Sequence, residues 1–82
     1  MPAGKDIRTA ARLLQEGDWR AAHAIVQEDE ESRLSCWAHG IVHLMEGDVP
    51  NARYWYRRAG RVLREDCSIE AEVAALRDTL RG

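Results

Sequence analysis

The spacing of apolar residues along the chain predicts helices. Apolar side chains recur every three or four positions, as at Leu34, Trp37 and Ile41, and no stretch alternates apolar and polar residues for long. Five helices are predicted, near residues 5–16, 19–29, 33–46, 49–64 and 69–81. The pattern therefore indicates an all-α protein.

Residues that end and begin helices stand at these boundaries. Gly17 and Gly47 suit the left-handed backbone position that follows a helix. The aspartate after each glycine suits a helix start, as do Ser32 and Ser68, because their side-chain oxygens accept hydrogen bonds from free N–H groups. Connections this short require neighbouring helices to run antiparallel.

A weak internal repeat relates the two halves of the chain. Residues 14–22 and 44–52 are identical at five of nine positions, with an offset of 30 residues that includes the Gly-Asp turn. Stacked hairpins explain such a repeat, because neighbouring units bury each other's apolar faces. We predict a single domain made of hairpin 5–29, hairpin 33–64 and a C-terminal capping helix, 69–81.

The second hairpin resembles a tetratricopeptide repeat. Its small residues and aromatic stand at the spacing of that family, at Gly40, Gly47, Ala52, Tyr56 and Ala59. The resemblance implies that small residues let two helix backbones approach while the aromatic fills the gap above them. It also implies protein–protein interaction, usually through the concave face of the first helices. The run 43–60 is similar to a block found in small proteins of repeat-like build, which implies no activity.

Composition excludes several classes of protein. The chain has 82 residues, of which 45% are hydrophobic and 32% charged, and a net charge of −2. This is enough for one domain with a thin core, and the charge balance argues against a dedicated nucleic-acid binder. Two cysteines do not make a disulfide scaffold, and no apolar run spans a membrane. We expect a cytoplasmic protein without a cofactor.

An arginine stripe beside an apolar groove is the predicted functional feature. Arg53, Arg57, Arg61 and Arg64 would share one face of a helix that continued to residue 64. We predict an interaction module that binds a partner peptide or helix, or a second copy of itself. The candidate partner-binding residues are Trp37, Ile41, Met45, Tyr54, Arg57, Arg58 and Arg61. If the C-terminal helix covers the groove, only a compact bundle remains.

The arginine stripe also has two other interpretations. It could pair with the acidic residues 28–31 and 65–66, within one molecule or across a dimer. It could instead bind an anion or RNA, since arginine suits phosphate and an adjacent tyrosine can stack on a base. The acidic net charge disfavours nucleic acid.

A metal or redox site is the alternative function. Cys36, His39 and His43 are spaced i, i+3, i+7, and Glu46 follows one turn later, so these candidate ligands lie along one side of a helix. His23 or Cys67 could add a ligand; equally, the thiol and imidazoles could simply pack between helices. No catalytic residues are predicted, because the sequence shows neither a nucleophilic triad nor a phosphate-binding glycine loop.

Overall fold

A computed structural model describes residues 6–81, and all regular structure in that range is helical. The helices are α1 (Ile7–Gln15), α2 (Trp19–Val26), α3 (Arg33–Glu46), α4 (Val49–Arg58) and α5 (Ile69–Arg81). The predicted all-α fold is confirmed, while the predicted start of the first helix at residue 5 lies outside the described range. Within that range, no helix has the length and apolar character needed to cross a bilayer.

The predicted turn and cap residues act as expected. Gly17 and Gly47 have φ values of 85° and 91°, which is the left-handed conformation that ends α1 and α3. Asp18 accepts a hydrogen bond from the Ala21 N–H at 3.2 Å, and Asp48 caps α4 in the same way. The local sequence thus sets both hairpin turns.

Helix α4 ends at Arg58, six residues earlier than predicted, and this is a correction. Gly60 has a φ of 74°, and its N–H donates to the Arg57 carbonyl at 3.0 Å. The Arg61 N–H donates to the Tyr56 carbonyl at 2.9 Å, which completes a Schellman turn. Helix α2 likewise stops at Val26 instead of residue 29, so the acidic run 28–31 lies in the loop that follows it.

Helix α3 is the centre of the molecule. It packs against each of the other four helices. All nine residues from Ser35 to His43 are buried, so α3 has no solvent-facing side along this stretch. Such an enclosed helix tolerates polar side chains only where other groups satisfy them.

Helix α5 closes the face that was expected to form a groove. Glu72 of α5 accepts hydrogen bonds through Oε1 from Tyr56 Oη at 2.5 Å and from Trp37 Nε1 at 3.1 Å. Burial raises the pKa of the Tyr56 hydroxyl, and so does the hydrogen bond that this hydroxyl donates to Glu72. The hydroxyl therefore stays protonated and acts as a donor. Glu72 therefore joins α3, α4 and α5 at one atom.

The close packing implied by the tetratricopeptide resemblance is present in the second hairpin. A Cβ built on Gly40 would lie 2.7 Å from Cε1 of Tyr56 and 3.3 Å from the Ala52 carbonyl oxygen. Only a glycine lets α3 and α4 approach this closely. The packing is confirmed, and membership of the family stays a prediction.

Candidate functional site

Two of the three residues assigned to the predicted apolar groove are fully buried. Trp37 and Ile41 are 1% and 0% exposed, and Met45 is half-buried. This corrects the assignment of Trp37 and Ile41 as contact residues, because a partner could reach their side chains only if the surrounding helices moved apart. Met45 lines a groove between α1 and α5 together with Leu14 and Val73, and it also lines a second groove beside Cys67 and Ile69.

The other predicted contact residues lie on the outer side of α4. We define the α4 surface as the exposed residues Val49, Arg53, Tyr54, Arg57 and Arg58. Within residues 6–81 the large exposed hydrophobic side chains are Val49, Tyr54 and Val62, the last of them just beyond α4. Exposed apolar and aromatic groups mixed with arginine are typical of the contact residues of protein interfaces.

The arginines do not form one continuous stripe, because α4 is shorter than predicted. Arg61 follows the helix end, and its guanidinium lies 3.5 Å from the centre of the Trp37 ring. Arg64 lies in the next loop and pairs with Asp66 at 3.6 Å. Arg53 and Arg57 remain on α4, and neither has an acidic partner among the described residues.

Arg58 fixes the position of an acidic loop beside the α4 surface. We define the acidic loop as Glu28, Asp29, Glu30 and Glu31. Arg58 Nη2 donates to the Glu30 carbonyl at 2.7 Å, and its Nη1 donates to Tyr54 Oη at 3.2 Å. Asp29 accepts from the Ser32 N–H at 3.1 Å, whereas the other three acidic side chains have no ion-pair partner in the described range.

Three histidines meet between α2 and α3. His39 and His43 lie one turn apart on α3, and His23 reaches them from α2. One nitrogen of each ring can be chosen so that all three lie within 4.8 Å of one another. The Nε2 atoms of His23 and His39 are 3.2 Å apart, and His43 Nδ1 is 2.8 Å from Glu46 Oε1. This cluster is the arrangement in the described chain best suited to a metal ion.

The surroundings keep two of these imidazoles neutral and hold one of them rigidly. Burial, together with His23 and His43, lowers the pKa of His39 to about 4, and burial also lowers the pKa of His23. The His39 ring stacks on Trp55 with centroids 3.8 Å apart and an interplanar angle of 8°. Its Nδ1 is buried and has no hydrogen-bond partner within the described residues.

The structure regroups the predicted metal ligands. His39 and His43 come together with His23, and Glu46 contacts His43, but Cys36 donates its S–H to the Glu30 carbonyl at 3.4 Å instead. Seven residues of helix separate Cys36 from His43 by about 10 Å along the axis, which is too far for one ion. His23 was named only as a possible extra ligand, because spacing within α3 carries no information about α2.

Comparison with family models, with curated proteins and with solved structures found no match to this chain. The function is therefore inferred from the two arrangements described above. One is the α4 surface beside the acidic loop, and the other is the three-histidine cluster.

Proposed function

We propose that the protein is an interaction module that associates with a second copy of itself through the α4 surface. The observation that carries the proposal is the content of that surface: exposed Val49 and Tyr54, together with Arg53 and Arg57, which have no acidic partner in the described chain. Removing this apolar area from water favours association, and the arginines then select an acidic partner.

The acidic loop supplies the complementary charge. Glu28, Glu30 and Glu31 are exposed and unpaired within the described range, and the Arg58 contact holds their loop next to α4. Because the two patches lie side by side, a twofold axis between them places the loop of each copy on the α4 surface of the other. A second copy therefore pairs with both the acidic loop and the arginines at once, whereas an unrelated acidic partner would pair only with the arginines.

The expected dimer is weak and sensitive to salt. Exposed ion pairs contribute about 0–1 kcal/mol each, so the charges provide orientation more than affinity. Two exposed hydrophobic side chains on each copy add a limited apolar area. Raising the salt from about 0.05 M to about 0.5 M shortens the Debye length severalfold and should therefore shift the protein towards monomer.

Reversing the charge of the α4 surface should abolish this association. In the double variant Arg53→Glu/Arg57→Glu, each acidic loop meets like charge, so we expect dimerisation to weaken at least about 10-fold. Sedimentation equilibrium at low salt measures the change. Arg53 and Arg57 are exposed, so the free energy of unfolding should stay within about 0.5 kcal/mol of wild type.

The matched control is Arg12→Glu/Arg20→Glu, which changes the net charge equally at two exposed arginines on α1 and α2. It should dimerise like wild type. A wild-type protein that is monomeric at low salt and high concentration would contradict the proposal. An equal loss of dimer in the control would show that only net charge matters and would also contradict it.

A further inference from the structure

We propose that His23, His39 and His43 form a binding site for a divalent transition-metal ion of the zinc class, with an exchangeable fourth coordination position. The proposal does not depend on self-association, although Trp55, on which His39 stacks, also contacts Tyr54 and Arg58 of the α4 surface. It uses the histidine pair of α3 and a third ligand from α2. An ion held there would tie the first hairpin to the second.

The distances fit a common ion. Zinc binds imidazole nitrogen at about 2.0–2.1 Å, so two ligands in a tetrahedral site lie about 3.3 Å apart. The Nε2 atoms of His23 and His39 are 3.2 Å apart. His43 offers a nitrogen within 4.8 Å of both neighbours. The His39 and His43 rings are stacked at 23° with centroids 5.1 Å apart, so binding of an ion requires the His43 ring to turn towards the other two nitrogens.

The ligand set favours a borderline metal over calcium or magnesium. Imidazole nitrogen suits zinc, copper, nickel and cobalt, whereas calcium and magnesium prefer oxygen ligands. Each of the three rings offers one nitrogen to the site, and neutral imidazole is the form that binds a metal.

Surrounding residues hold the ligands as they do in known metal sites. His43 Nδ1 lies 2.8 Å from Glu46 Oε1, and when Nδ1 donates to this carboxylate, Nε2 is the nitrogen left to bind an ion. A carboxylate on the remote nitrogen of a ligating histidine fixes its tautomer and raises its basicity. The parallel stack on Trp55 fixes the orientation of His39.

A purely structural role for the cluster leaves His39 incompletely satisfied. The ring is 3% exposed and can share one hydrogen bond with His23, but its Nδ1 has no partner within the described residues. In one tautomer that atom is a buried donor and in the other a buried acceptor, and either is costly. An ion bound to Nε2 would leave Nδ1 as an N–H group, so the proposal rests on the facing Nε2 atoms of His23 and His39 and not on the unpaired Nδ1.

The three histidines supply three of the four ligands of a tetrahedral zinc site. His23 is only half-buried, so it gives an ion a route from the surface. Three protein ligands with a water in the remaining position is the arrangement of exchangeable and catalytic zinc sites, whereas structural sites have four protein ligands. We therefore expect reversible binding of the ion and a folded protein without it.

Titration of the untagged, metal-free protein with ZnCl₂, followed by calorimetry, tests the site. We expect one Zn²⁺ per chain. Loss of a carboxylate beside a ligating histidine typically costs 10–100-fold in affinity, so His23→Gln or His39→Gln should cost at least about 100-fold. Glu46→Ala should weaken binding about 10-fold. CoCl₂ should give the visible d–d bands of a tetrahedral site without a thiolate charge-transfer band.

Two control variants separate this site from its neighbours. Cys36→Ser should bind Zn²⁺ like wild type, because the thiol points to the Glu30 carbonyl. Asp48→Asn should also bind normally; His43, Glu46 and Asp48 form a second group within 4.8 Å, and a loss here would assign the ion to that group. If His39→Gln fails to fold, the result for the half-buried His23 decides the question.

Three results would overturn the proposal. They are no stoichiometric Zn²⁺ binding by wild type, unchanged affinity in folded His23→Gln, and loss of affinity in Asp48→Asn equal to the loss in His23→Gln.

Discussion

Replacing Gly40 by alanine should destabilise the protein by roughly 2–3 kcal/mol, although alanine is the better helix former by about 1 kcal/mol. The added methyl group would lie 2.7 Å from Cε1 of Tyr56 and still closer to Cδ1. The ring cannot move aside freely, because its hydroxyl donates to Glu72 at 2.5 Å. Urea unfolding monitored by tryptophan fluorescence measures the loss.

Alanine variants of two other glycines show how much of the loss of stability comes from backbone conformation and how much from close packing. Gly17 and Gly47 have positive φ, and a Cβ at either position would have no atom within 4 Å. Alanine at either position should lower the free energy of unfolding by about 1–2 kcal/mol, because an alanine is strained in the left-handed conformation. The pair Gly40→Ala/Tyr56→Leu should recover part of the loss. A Gly40→Ala protein as stable as wild type would contradict the close approach of α3 and α4.

Replacing Glu72 by alanine should cost about 3 kcal/mol, because it leaves two buried donors without their acceptor. Both Tyr56 Oη and Trp37 Nε1 donate to the same Oε1 atom. Glu72→Gln keeps an acceptor oxygen and should cost about 1 kcal/mol, the difference between a charged and a neutral hydrogen bond. Thermal and urea unfolding of each variant give these values.

Glu70→Ala is the matched control on the same helix. Glu70 is exposed and makes no ion pair within residues 6–81. Its replacement should therefore change the free energy of unfolding by no more than about 0.5 kcal/mol. A double-mutant cycle of Glu72→Ala with Tyr56→Phe should show coupling well above zero, since each variant removes the same bond. Independent, additive losses at the two positions would contradict the network.

Local signals in the sequence predicted the helices and most of their ends. The Gly-Asp turns at 17–18 and 47–48 have a breaker and a cap side by side, and both formed as predicted. The end of α4 was missed because Leu63 continues the apolar period and no capping residue follows Gly60. The glycine itself was the available signal, and its Schellman turn outweighs the periodicity.

Contacts between distant helices account for what the sequence did not predict. Which face α5 covers depends on Glu72 reaching Trp37 and Tyr56. This pairing buried Trp37, which sequence reasoning had placed in an open groove. The histidine pair of α3 was recognised from its spacing, but the third histidine of the cluster comes from α2. Spacing within one helix gives no information about such a partner.

The most direct test of the proposed self-association is to mix two variants of opposite charge. The first, Arg53→Glu/Arg57→Glu, has an acidic α4 surface, and the second, Glu28→Arg/Glu30→Arg/Glu31→Arg, has a loop of net positive charge, since only Asp29 stays acidic. Like charges should keep each variant monomeric alone, whereas an equimolar mixture pairs opposite charges at both contacts. Sedimentation equilibrium at low salt should show a heterodimer only in the mixture. A mixture that stays monomeric, or variants that each still dimerise alone, would contradict the pairing of the α4 surface with the acidic loop.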